Sequence, residues 1–153
     1  MTANVERVAS YDLGVKWEPN ISNPLLVQQG ARALLAVDPH FDDEDQRLVV
    51  IQIVRCQGVW LGLPNDEARS GHRLWSKGLS ECRWVGEVLN STSIGKLAAV
   101  NSVHPRHRAE RFTVLRHWVL LFKEATAECI GSNSTVVRRA REGFLAGIAD
   151  LEG

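Results

Sequence analysis

The sequence predicts a single α+β domain: a curved antiparallel sheet or open barrel, with two or three helices. Three observations predict it: short apolar runs with the period of a strand, a late segment with the period of a helix, and no repeat or linker dividing the chain. A chain of 153 residues is about one domain's worth and is long enough to bury a core without staples.

Residues 11–18 alternate, with Tyr11, Leu13, Val15 and Trp17 on one side and Asp12, Gly14, Lys16 and Glu18 on the other. That pattern predicts a half-buried strand. Asn20 to Pro24 reads as a turn-rich break, and residues 31–37 as a second strand stopped by Asp38-Pro39. The acidic stretch DPHFDDEDQ lacks the glycine and terminal glutamate of a calcium loop and reads as a surface turn. Residues 47–56 are apolar on both faces, which predicts a central strand. Gly58 permits a bend, and VWLGL leads to Pro64.

From 64 to 80 the periodicity vanishes, and a long polar loop is expected. Residues 82–89 resume as strand, and Asn90-Ser91 caps a short helix at about 93–101. Residues 115–122 and 126–130 read as a hairpin. The last segment predicts a helix with Ser134 as its N-cap. There Val137, Ala140, Phe144, Ile148 and Leu151 follow at spacings of 3, 4, 4 and 3.

Composition narrows the partners. Eighteen basic residues balance eighteen acidic ones, so no net field attracts nucleic acid or an anionic membrane. No apolar run approaches the length of a membrane span, and the start lacks the order of a signal peptide. Three widely spaced cysteines make neither a disulfide framework nor a zinc ribbon. A cytoplasmic protein with free thiols is therefore expected.

Two irregular stretches concentrate titratable side chains. Loop 64–80 holds Asn65, Asp66, Glu67, His72 and Trp75; a histidine beside a carboxylate can act as a proton-transfer pair. Such a composition also suits a plain surface loop. The run 103–111 holds His104 and His107 as H-x-x-H, followed by Arg108 and Arg111. Two imidazoles at that spacing can share a metal if His72, Glu124 or Glu128 supplies a third ligand, but Pro105 favours a turn. No metal and no cofactor are expected. Arg106, Arg108 and Arg111 can instead clamp a carboxylate or phosphate.

In the hairpin, His117 shares a face with Val119 and Leu121, which suits a satisfied core histidine or a ligand contact, and Glu128 faces away from Ala127 and Cys129. Cys129 reads as a buried structural thiol rather than a nucleophile. The G-x-S-x-G, P-loop, G-x-G-x-x-G and H-E-x-x-H signatures are absent.

The segments PNDEA at 64–68, GH-x-L at 71–74, EVLNS at 87–91, NSVHPRH at 101–107 and ECI at 128–130 resemble a group of small uncharacterised bacterial proteins. The resemblance covers roughly residues 57–131 and implies no activity.

Two functions are expected from these residues. The first is a small bacterial enzyme of small-molecule metabolism, with Asp66, Glu67, His72, His104 and His107 as acid–base groups in one polar cleft. Asn65, Trp75, Arg108, Arg111 and His117 would contact its small-molecule ligand. The second is a non-catalytic interaction module that binds another protein through an exposed Trp75. A homodimer is left open.

Overall fold

A computed structural model describes residues 4–144. The chain is α+β; its described residues form nine strands in two antiparallel sheets that do not close into a barrel. The first sheet has the order β1 (Arg7–Ser10), β6 (Val85–Leu89), β7 (Arg116–Leu121), β8 (Thr126–Gly131) and β5 (Gly58–Gly62). The second has the order β2 (Leu25–Gln29), β3 (Arg32–Val37), β4 (Leu48–Val54) and β9 (Asn133–Arg139). The helices are α1 (Thr92–Asn101) and the short α2 (Glu110–Thr113). Among the described residues no helix is long and apolar enough to cross a membrane.

The inner faces of the two sheets share one core. Leu35, Val37, Val49, Ile51 and Ile53 of the second sheet meet Val85, Trp118, Leu120, Ala127 and Cys129 of the first. Trp17 lies at its rim against Phe122 and Trp84, and its indole N–H donates to the Leu121 carbonyl at 2.9 Å. β4 is interior to its sheet, as its two apolar faces predict: Ile51 faces the core, while Val50 packs outward with Ala36, Leu48, Val137 and Phe144. The chain passes from β4 to β5 and from β8 to β9 at neighbouring points. A Cβ on Gly131 would stand 2.6 Å from Ile53 Cγ2 and 2.7 Å from the Val54 carbonyl oxygen. Only glycine fits that approach.

Four expectations change. Residues 11–18 keep their alternating burial but form no strand. Gly14 has φ of 77° and the single bridge is Trp17 to Pro39, so the side chains reach the core from an extended segment without a ladder. The expected helix from Ser134 is a strand over its first turns. Thr135, Val136 and Val137 are β-branched, and a seven-residue ladder with β4 outweighs the helical spacing. Val137 and Phe144 do pack together over β4, the backbone turning helical at residues 141–144; Ile148 and Leu151 lie outside the described residues.

Loop 64–80 contains three 3-10 helices, Asp66–Gly71, Trp75–Lys77 and Leu79–Glu81. Leu74 and Leu79 anchor the segment, both fully buried against Val8, Val88, Val119 and Leu121. That apolar pair is too short to produce a period. Finally, one curved sheet becomes two. β1, β2, β5 and β9 add strands, and β2 joins β3 through the two residues Gly30-Ala31, with Gly30 at φ of 58° as a type II′ turn requires.

Candidate functional site

The outer face of the first sheet carries the polar groups that the core excludes. On β7, Trp118 and Leu120 point into the core, so His117, Val119 and Leu121 point outward. On β8, Ala127 and Cys129 point inward and Glu128 outward. Val119 pairs with Glu128 and His117 with Ile130, which makes His117 and Glu128 diagonal neighbours within reach of each other. His117 Nε2 meets Glu128 Oε1 at 2.8 Å.

Two further side chains complete the cluster. His72, at the C-cap of the first 3-10 helix, brings Nε2 to 3.3 Å from Glu128 Oε2. Its Nδ1 accepts the Leu74 backbone N–H at 3.0 Å, so its proton sits on Nε2 and is donated to the carboxylate. Ser91 comes from the turn between β6 and α1. Asn90 holds φ of 54° there, and Ser91 is the N-cap, its Oγ accepting the Ile94 N–H at 3.2 Å. The same Oγ lies 2.7 Å from His117 Nδ1. With the Nε2 proton committed to Glu128, Nδ1 is free to accept the Ser91 hydroxyl proton. The result is one chain of contacts, Ser91–His117–Glu128–His72.

His117 is 1% exposed, whereas the Glu128 side chain keeps 24% exposure. Burial pushes the Glu128 carboxyl up, but the hydrogen bonds from His117 and His72 outweigh it and hold the group well below the usual carboxylate range. Glu128 is therefore ionised at neutral pH. Ser91 borders a hollow of about 470 Å³ with apolar walls from Ile94, Ala98, Phe112 and Leu115. His117 and Glu128 border another, of about 290 Å³, beside Trp60 and Lys96.

Glu6 braces the segments that supply Ser91 and His72. It accepts hydrogen bonds from Arg73 and Lys77, both at 2.9 Å, and from the N–H and hydroxyl of Thr92 at 2.7 and 2.9 Å.

The other residues singled out from the sequence take different places. Asn65 caps the first 3-10 helix by accepting the Ala68 N–H, and Asp66 and Glu67 lie exposed in its first turn. Trp75 is half-buried against the Leu74–Leu79 cluster and is not the exposed residue expected; the exposed tryptophan is Trp60. His104 accepts the Arg106 N–H, while His107 stacks on Phe112 and contacts the Asn101 amide. Arg108 and Arg111 are exposed. Among the described residues, no hydrogen bond or ion pair joins 66–72 to 104–111.

Sequence reasoning read Ser91 only as a cap and Glu128 only as a spare metal ligand. The signal for Glu128 was present in the alternation that turns it away from Ala127 and Cys129. All three cysteines are free, and burial pushes the Cys129 thiol up to about 12, which makes it unreactive. Among the described residues no group of three or more His, Cys, Asp or Glu is arranged to hold a metal ion. Compared with known protein families, curated proteins and solved structures, the chain matches none of them.

Proposed function

We propose that the protein is a small bacterial enzyme of small-molecule metabolism that cleaves an acyl bond by acid–base chemistry. Ser91 is the nucleophile, His117 the base, and Glu128 orients His117 and offsets its charge. The carrying observation is the 2.7 Å contact between Ser91 Oγ and His117 Nδ1, with the opposite ring nitrogen on an ionised carboxylate. Nucleophile, base and orienting acid in series are the recurrent arrangement for activating a hydroxyl.

Ser91 Oγ attacks the carbonyl carbon of a small ester or thioester while its proton passes to His117 Nδ1. The imidazolium formed is stabilised by Glu128, which His72 holds in place. His117 then protonates the leaving oxygen or sulfur. Water, deprotonated by His117, releases the acid and restores the Ser91 hydroxyl. The Ile94 N–H bonded to Ser91 Oγ fixes the position of that hydroxyl beside His117. The apolar walls beside Ser91 suit a short uncharged acyl chain.

The test is covalent labelling by a fluorophosphonate, read by intact mass, together with hydrolysis of p-nitrophenyl acetate and butyrate. One phosphonyl group on Ser91 is expected, lost in Ser91→Ala and slowed about 10²–10⁴-fold in Glu128→Gln. A wild-type protein that neither takes the label nor cleaves either ester contradicts the reading.

The second reading, a non-catalytic interaction module, is favoured by Trp60. This residue is 57% exposed on β5, at the edge of the first sheet. Edge strands with an exposed aromatic are ready partners for another chain.

A further inference from the structure

The hollow of about 530 Å³ at the turn leaving β4 has a one-sided charge. Arg55 and Arg111 line it from separate elements, the β4–β5 turn and α2, and no carboxylate lines it. Among the described residues neither arginine has an ion-pair partner. The other polar groups on its wall are the Gln57 and Asn101 amides and the Ser132 hydroxyl.

Arg55 also sits at φ of 51°, where a non-glycine residue is disfavoured. The tight turn from β4 to β5 would be served more comfortably by glycine or asparagine. An arginine held there is retained at a conformational cost, as happens where a side chain must be presented at a fixed place. Phe112, Val114 and Leu115 supply an apolar part of the wall.

We infer that this hollow binds a small phosphomonoester, its dianionic phosphate held between Arg55 and Arg111 and its organic body on the Phe112 wall. Two guanidinium forks match a dianion in charge and can each donate two hydrogen bonds to phosphate oxygens. Asn101 can add a donor only by giving up its contact with His107, so the arginines carry recognition. The hollow shares Phe112 and Leu115 with the one beside Ser91, but neither Arg55 nor Arg111 belongs to the Ser91 chain of contacts.

The experiment is titration with phenyl phosphate, inorganic phosphate and benzoate by calorimetry, backed by amide NMR shifts. The proteins are wild type, Arg55→Gly, Arg111→Gln and the double variant. Arg55→Gly relieves the backbone, and Arg111 is exposed in a four-residue helix, so both variants keep the fold. Phenyl phosphate is expected to bind at least tenfold more tightly than benzoate and more tightly than inorganic phosphate. Each single variant should lose about tenfold, and the double variant should lose measurable binding. Binding should weaken as salt rises. Absence of wild-type binding, equal affinity for benzoate, or binding that survives in the double variant overturns the inference.

Discussion

Replacing Glu6 by glutamine tests how the walls of the site are held. Glu6 is 5% exposed and gathers four donors from Arg73, Lys77 and Thr92. Burial alone raises its carboxyl, but the Lys77, Thr92 and Arg73 hydrogen bonds outweigh that and lower it from 4.5 to about 2. At about 1.4 kcal/mol for each tenfold change in proton affinity, that gap bounds the contribution at about 3 kcal/mol. Water screens the outer ends of Arg73 and Lys77, which leaves about 2–3 kcal/mol.

Because the folded value is the depressed one, this stability is present in full above pH 4.5. It drains away as pH falls toward 2. Urea unfolding of wild type and Glu6→Gln from pH 7 down to pH 2.5 isolates the effect, since other carboxylates titrate alike in both. The difference should be about 2–3 kcal/mol at pH 7, or roughly 4–12 °C in Tm for a domain of this size, and should shrink steadily below pH 4.5. A difference that stays constant across that range refutes the reasoning, because it would mean the carboxylate's charge contributes nothing.

Three further outcomes are expected from the packing. Gly131→Ala should destabilise by about 1–3 kcal/mol in urea unfolding, since its methyl would meet Ile53 and the Val54 carbonyl where the sheets approach. Trp17→Phe should cost about 2–4 kcal/mol by the same measurement, because it opens space in the core and leaves the Leu121 carbonyl without its donor. Phe144→Ala should lower the thermal midpoint by a few degrees, a cost of about 1–2 kcal/mol, since Phe144 is only half-buried on the outer face of β4. An unchanged midpoint would mean that residues 141–144 are not docked there.

The parts of the fold that could be read from the chain are those where a local pattern and the tertiary pairing agree. The β7–β8 hairpin, β4 and the Ser91-capped α1 have an unbroken period or a cap beside them. Residues 133–139 failed because spacing at one face cannot distinguish a helix from a strand whose partner is 79 to 91 positions away. β5 was hidden by its two glycines and by having one neighbour only. The site follows the same division. His72 and His117 stood out as chemistry-bearing residues, and alternation along β8 turned Glu128 to the face of His117, but no local pattern showed that the loop would bring His72 to the same carboxylate. Ser91 was concealed by its role as a helix cap, which occupies the same hydroxyl that contacts His117.

The diagonal placement of His117 and Glu128 has a consequence for how the site can respond. Those two groups are locked by the register of adjacent, ladder-bonded strands, and moving either one means shearing the sheet. Ser91 and His72 stand on a turn and on the end of a 3-10 helix, where a small backbone rotation swings the side chain without breaking a ladder. The cluster is thus a fixed anvil with two adjustable jaws. On the proposed reading, a ligand entering beside Ser91 repositions the hydroxyl or His72 while the central pair keeps its geometry, and substitutions that alter its specificity belong in those two outer segments.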